Sequence, residues 1–163
     1  MSMIRFRIAL FVAAAVGIAV VIGSLASRVD ADPTQIATAW IAFWNSRDAS
    51  SAPTLFADNV VYEDVAPGVV NMGIDELQNF ARGYFDTAPP DARFDLVASN
   101  IKGGQGSIEW LFTFTTTATF FGPTPGEKVA VRGATIIHLA GNKIVSNSDY
   151  WDIATVLREI GQL

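Results

Sequence analysis

Two hydrophobic periods divide the chain near residue 92, helical before it and alternating after it. Ile36, Ala37, Trp40, Ile41, Phe43 and Trp44 form one apolar face at helical spacing. Asp32-Pro33-Thr34-Gln35 before them reads as an N-cap, a proline at the first helical position and a capping-box glutamine, and Asn45-Ser46-Arg47-Asp48 ends the helix. Ser51 caps a second, short helix through Pro53, Leu55 and Phe56, and Val60-Val61-Tyr62-Glu63-Asp64 reads as a strand that stops at Pro67-Gly68. A third helix starts near Gly73 with Leu77, Phe80, Ala81, Tyr84 and Phe85 on one face, and Ala88-Pro89-Pro90 closes it. From Ala92 the period is two, predicting long strands over 93–101, 107–118, 128–139 and 143–151, separated by Gly-rich or Gly/Pro turns. Consecutive long strands with short turns mean an antiparallel meander, and helices gathered in front of them mean an α+β fold with the helices on one face.

Within the second strand of the meander, alternation puts Ile108, Trp110, Phe112 and Phe114 on one side, facing the helices, and Glu109, Leu111, Thr113, Thr115 and Thr117 on the other. A two-residue turn at Gly141-Asn142 pairs Ala140 with Lys143. Thr135 and Ile137 then share a face with Ser146, Ser148, Tyr150 and Asp152, while His138 lies on the opposite face with Val145, Asn147, Asp149 and Trp151. A three-residue loop would reverse that assignment, because a shift of one residue exchanges the two faces of a strand. An apolar segment from Ile153 to Ile160 forms a short closing helix, for which Asp152 is a plausible cap.

Composition narrows the class. At 163 residues, 50% hydrophobic and without cysteine, the chain is long enough for one domain with a real core and has neither a disulfide framework nor a lipid-attachment thiol. Residues 8–26 contain no charge and follow Arg5 and Arg7, which describes an export signal or an N-terminal membrane anchor over residues 1–31. Both readings place the domain 32–163 outside the cytoplasm, and membrane contact is expected only through the N-terminal segment. From Asp32 onward eight Lys/Arg stand against fifteen Asp/Glu, a net charge of −7 that disfavours nucleic acid and anionic membranes as partners. One histidine and no cysteine argue against a transition-metal site, and Gly103-Gly104-Gln105-Gly106 lacks the lysine and helix of a phosphate loop. Neither a metal nor a cofactor is expected.

The order of elements, together with Trp44-Asn45-Ser46-Arg47-Asp48, Phe56-Ala57-Asp58-Asn59-Val60-Val61-Tyr62-Glu63-Asp64, Ile108-Glu109-Trp110 and the segment ending in Asp152, resembles the NTF2-like superfamily and its SnoaL-like branch. That superfamily includes steroid isomerases, polyketide cyclases and limonene epoxide hydrolases. The resemblance runs from about Ile36 to Gly161. It implies a cone: a strongly curved antiparallel sheet wrapped by three N-terminal helices and a short C-terminal helix around an apolar pocket. It also implies a homodimer through the convex face of the sheet, where Arg132, His138, Asp149 and Trp151 would lie. The bland alternative for that face is a solvated surface with an Arg132–Asp149 ion pair.

Two acids are the candidates for chemistry. Asp64 ends the first strand at the position of the steroid-isomerase base, with Val65 where the proline of that motif stands. Asp152 lies eight residues after Ile144, the spacing of the acid in the polyketide cyclases and epoxide hydrolases. Inside an aromatic cone either carboxyl would hold its proton more tightly and become a usable acid or base near neutral pH. As purely structural residues, Asp64 would sit in a turn and Asp152 would cap the closing helix. Partner sets of the known enzymes are incomplete: Trp40 and Thr135 or Ala134 stand where steroid isomerases have their enolate donors, and no Arg–acid pair follows in the central strand. The expected site therefore has Asp152, Asp64 and Tyr62 as catalytic residues and Tyr150, Trp110, Trp40, Trp44, Phe85 and Thr135 around a small apolar substrate. The expected function is cofactor-independent acid/base catalysis of the isomerase, cyclase or hydrolase type. The alternative is a non-catalytic module of the same fold, binding a lipophilic ligand or serving an assembly.

Overall fold

The computed structural model describes residues 33–122 and 124–163. The expected leader or anchor and the Asp32 cap lie outside the described residues. Among the described residues, no helix is long and apolar enough to cross a membrane. Helix α1 (Pro33–Ser46) leads through a turn of 3-10 helix at Ala49–Ser51 into the short α2 (Ala52–Leu55). Strands β1 (Phe56–Asp64) and β2 (Val69–Met72) precede α3 (Ile74–Thr87). The meander is β3 (Arg93–Lys102), β4 (Gln105–Thr115), β5 (Lys128–Ala140) and β6 (Lys143–Trp151), and α4 (Ile153–Glu159) closes the chain. The α+β architecture, the three leading helices and the closing helix are those expected.

The six strands of the described residues belong to one open, curved sheet in the order β2-β1-β6-β5-β4-β3. Its neighbours are antiparallel except at one joint, where β1 runs parallel to β6 with Tyr62 opposite Asn147 and Asp64 opposite Asp149. That joint brings residues from the two ends of the domain side by side. Strand β2 adds an edge that the hydrophobic pattern did not indicate, because four residues between a Pro-Gly turn and a helix are too few to show a period.

The helices lie where their apolar stripes demand. Trp40, Phe43 and Trp44 of α1 and Leu77, Ala81 and Phe85 of α3 are buried with Ile108, Trp110, Phe112 and Phe114 of β4 in one core. Asp75 and Glu76 occupy the first turn of α3, where the helix dipole favours acids, and Glu76 accepts the Met72 N–H at 2.7 Å. Arg47, in the left-handed region at φ 58°, ends α1. Its guanidinium donates to the Ala88 carbonyl at 3.1 Å and to the Pro89 carbonyl, tying α1 to the end of α3.

The hairpin β5–β6 contains the detail on which the site depends. Its turn is the expected two-residue one, with Ala140 opposite Lys143. Leu139 then faces Ile144 but His138 faces Ser146, so Val145 is an extra residue on β6. This β-bulge exchanges the two faces of β6 beyond it. Asn147 and Asp149 are buried and Trp151 is turned inward, while Tyr150 is half exposed on the outer face. The expectation for these residues is therefore corrected: Asp149 and Trp151 leave the convex side and Tyr150 joins it. His138 remains outside, exposed, because the extra residue lies in β6 and leaves the alternation of β5 unchanged. On that convex face Arg132 pairs with Glu109, its cross-strand neighbour by one diagonal, and not with Asp149.

Gly133 shows how closely the core is fitted. A Cβ built there would lie 2.2 Å from Cη2 of Trp110, so the indole packs flat over the backbone of β5. Because Trp110 is buried and stacked on Trp40, with ring centroids 6.1 Å apart and 17° between planes, it has little room to retreat. Gly133→Ala should destabilise the fold by roughly 1–3 kcal/mol, the ordinary cost of overpacking, and should alter tryptophan fluorescence. Urea unfolding of the variant at neutral pH checks this; an unchanged midpoint would mean that Trp110 is not held where it stands.

Candidate functional site

The helices and the concave face of the sheet enclose a cavity of about 500 Å³, within the usual range for small-molecule sites. Twelve of the residues that line it are aromatic, and these include all four tryptophans of the chain: Trp40, Trp44, Trp110 and Trp151. Many of these rings meet edge to face, as at Phe94–Trp110 and Trp44–Tyr84, with Phe94 and Phe112 stacked at 4.3 Å. Among the described residues, the charged groups on the lining are two carboxyls, Asp64 and Asp149.

Asp149 is 5% exposed and takes three hydrogen bonds. Thr135 Oγ1 donates to its Oδ1 at 2.6 Å and Asn147 Nδ2 to the same oxygen at 2.8 Å, while the Tyr62 hydroxyl donates to Oδ2. Behind these stand the two stacked indoles. Trp40 Nε1 donates to Asn147 Oδ1 and Trp110 Nε1 to Thr135 Oγ1, each at 2.9 Å. Every polar atom named in this chain has a partner, which is what permits it to exist in an aromatic core. Desolvation raises the Asp149 carboxyl to a pKa of about 7, against the three hydrogen bonds that favour its ionised form; the charge of Asp64 adds to the rise. Burial and the neighbouring Asp149 raise the Tyr62 phenol well above its ordinary value.

Asp64 sits opposite Asp149 on the parallel joint and is less deeply buried. Trp151 Nε1 donates to its Oδ1 at 2.7 Å. Its carboxyl is also raised, by desolvation, with the Trp151 indole and the Ala66 amide acting in the other direction. Trp44 Nε1 is buried and has no partner among the described residues, which leaves a donor unsatisfied in a cavity-lining side chain.

The expected site residues divide into three groups. Tyr62, Asp64, Trp40, Trp44 and Trp110 line the cavity. Thr135 is buried just behind it, holding Asp149. Asp152, Tyr150 and Phe85 stand elsewhere. Asp152 caps α4: its Oδ1 accepts the Thr155 N–H at 3.0 Å and its Oδ2 the Thr155 hydroxyl at 2.6 Å. It is exposed, and the Thr155 hydroxyl and amide hold its carboxyl below the usual range. Phe85 is a core residue packed against Phe43, Trp44 and Tyr84. Of the two alternatives open for Asp152, the structure has the cap. The acid of this site is Asp149, three residues earlier, which sequence parity had placed outside. Its one local signal is Ile144-Val145, two branched residues in succession where strict alternation would have a polar one, at the position of the bulge.

Comparison with known proteins agrees with the fold. The family model of the SnoaL-like polyketide cyclases matches residues 34–160, most of the chain. The chain belongs to the SnoaL-like family. Among solved structures, a protein of ketosteroid-isomerase-like fold from Catenulispora acidiphila, solved in complex with trimethylamine, is 24% identical. Its TM-score is 0.70 over 81% of this chain and 96% of that one. TsrD from Streptomyces laurentii has a TM-score of 0.66 at 19% identity, covering 80% of this chain and 95% of its own. A protein assigned to the SnoaL-like polyketide cyclases from Jannaschia sp. CCS1 has a TM-score of 0.68 at 16% identity, covering 80% and 92%. These similarities are to the fold. No curated protein matches the chain.

Burial of Asp149 makes this SnoaL-like domain sensitive to pH with a definite sign. Unfolded, the carboxyl ionises near pH ~3.9; folded, it keeps its proton to about pH 7. Between those values unfolding releases a proton, so this group's contribution to stability is complete below about pH 4, falls as pH rises to about 7, and is constant above. At ~1.4 kcal/mol per pH unit the whole fall is roughly 4 kcal/mol. The difference in unfolding free energy between wild type and Asp149→Asn, measured in urea from pH 4 to 8, should move against the wild type by this order. A difference independent of pH would show that Asp149 does not hold its proton in the fold.

Proposed function

We propose that this SnoaL-like domain is a cofactor-independent acid/base enzyme for a small, largely apolar substrate, with Asp149, Tyr62 and Asp64 as its proton-handling groups. The observation that carries the reading is a carboxylic acid titrating near neutral pH inside an aromatic cavity, hydrogen-bonded to a tyrosine that borders the same space. Catalytic acids and bases work best when their pKa lies near the working pH.

The hydrogen bonds determine where the proton sits. Oδ1 of Asp149 already accepts from Thr135 and Asn147, so a proton on Asp149 belongs on Oδ2, facing Tyr62. The Tyr62 hydroxyl then accepts from Asp149, and its own hydrogen is free to turn to a substrate oxygen in the cavity. Tyr62 is the group that touches substrate, and Asp149 supplies the proton behind it. Asp64, less buried, gives up its proton before the deeper acid does, and so serves as the base that removes a proton from substrate. Two carboxyls in environments of different depth thus take opposite roles. The unpartnered Trp44 N–H is a donor for a further substrate acceptor.

Hydrogen exchange at carbon reports such chemistry without knowledge of the natural substrate. The protein should accelerate incorporation of solvent deuterium α to the carbonyl of an apolar bicyclic ketone such as 2-tetralone, followed by NMR. Asp149→Asn, Tyr62→Phe and Asp64→Asn should each lower the rate by about 10²–10⁴-fold, the ordinary contribution of a positioned acid or base. Asp152→Ala should lower stability through the lost cap and leave exchange unchanged. Ketone binding without any acceleration would favour the non-catalytic ligand-binding reading of the same cavity.

We further infer that the domain acts outside the cytoplasm, from the charge-free run of residues 8–26 after Arg5 and Arg7. Fractionation of cells expressing the full chain should recover it from the exported or membrane fraction; recovery in the cytosol alone would overturn this.

A further inference from the structure

The lining of the cavity carries a sign of charge as well as a shape. Among the described residues, Asp64 and Asp149 are its charged groups, and no Lys, Arg or His lines it. Arg47 is committed to the backbone carbonyls of Ala88 and Pro89. The remaining wall is aromatic, and aromatic faces present negative potential to whatever lies over them. The domain as a whole is net negative by seven from Asp32 onward, so the long-range field has the same sign as the local one. An anionic ligand would be opposed by the field, the carboxyls and the rings together. A cation would be favoured by all three.

We propose that the ligand of this cavity is a lipophilic amine or ammonium compound, with its charged nitrogen at the Asp64–Asp149 end and its apolar body among Phe94, Phe112 and Phe120. This rests on the reading of the cavity as the substrate site and adds the charge of what enters it. Occupation by a cation couples to the proton on Asp149. The ionised carboxylate holds the cation and the neutral acid does not, so binding tightens as pH rises through the Asp149 titration; the cation is held in the state Asp149 reaches once its proton has passed out through Tyr62. The other groups facing Asp149 are Tyr62 and Asp64 from β1 and Thr135 from β5, with Tyr84 of α3 further off. Both phenols stay neutral from pH 6 to 8, burial holding each above its ordinary value. Among the described residues, Asp64 is the other neighbour whose charge can change.

Because all four tryptophans line the cavity, intrinsic fluorescence reads its occupation directly. The probes are benzyltrimethylammonium, a cation at every pH, and its neutral carbon isostere neopentylbenzene. The wild-type protein should bind the cation more tightly than the isostere at pH 8. The cation's affinity should fall by up to about tenfold at pH 6, following the ionised fraction of Asp149, while that of the isostere does not fall. Asp149→Asn should remove the pH dependence and leave the isostere bound. Equal or tighter binding of the isostere at pH 8, affinity for the cation that does not change with pH, or a pH dependence that survives in Asp149→Asn would each overturn the assignment of charge. Those outcomes leave the apolar-substrate reading standing, whereas failure to bind either probe overturns both. The wild-type comparison decides the matter even if the variant does not fold.

Discussion

A carboxyl group buried among aromatic rings is the constraint around which this domain is arranged. Asp149 cannot be hydrated where it stands, so the protein supplies donors: a threonine, an asparagine and a tyrosine from β5, β6 and β1. Two of those donors are in turn fixed by indole N–H groups, one from α1 and one from β4. The chain Trp40–Asn147–Asp149–Thr135–Trp110 therefore runs from the first helix through the sheet and back to a ring stacked on its own starting point. A buried network of this kind is stable only when complete, and completing it requires five elements to be in place at once. The same completeness holds the acid in one orientation beside Tyr62, which is the preorganisation that proton transfer needs.

Depth separates the two acids. Asp64 and Asp149 are cross-strand neighbours on the one parallel joint of the sheet, so their closeness follows from topology. The charge of Asp64 adds to the proton affinity of Asp149, yet Asp149 lies within the network while Asp64 is less deeply buried, steadied by the Trp151 indole. Placing a second carboxyl beside one already buried costs stability, because neither can be fully ionised without opposing the other. Such a cost is commonly met where a site works, and it makes the pair a sounder functional candidate than the better-exposed Asp152, whose hydrogen bonds are fully accounted for by capping.

Much of the fold was legible from the order and period of apolar residues. Trp40 and Trp44 on α1 and Trp110 on β4 were readable as pocket wall because helical and alternating periods each leave one apolar face. Tyr62 and Asp64 were legible through the resemblance of Val60-Val61-Tyr62-Glu63-Asp64 to the steroid-isomerase motif, and both line the cavity. The acid itself was not legible. Parity carried from the Gly141-Asn142 turn is correct up to Leu139 and Ile144, and Val145 then inverts it for every residue that follows. A bulge leaves almost no trace in a pattern of two, because the inserted residue is apolar like its neighbour. Asp152 has the family spacing from that turn, and spacing along a strand does not report which side a residue faces.

The sequence by itself determined the class of fold, the aromatic character of the interior, the acidic balance of the domain and the presence of the acids at the strand ends. These follow from periodicity and composition, which are local and additive. Only the tertiary structure decided which acid is inside, because that depends on one inserted residue in β6 and on the parallel joint that sets β1 beside it. Burial then determined the chemistry: the same aspartate side chain is an exposed helix cap at position 152 and a neutral-range acid at position 149, and the difference lies entirely in the water that each can reach.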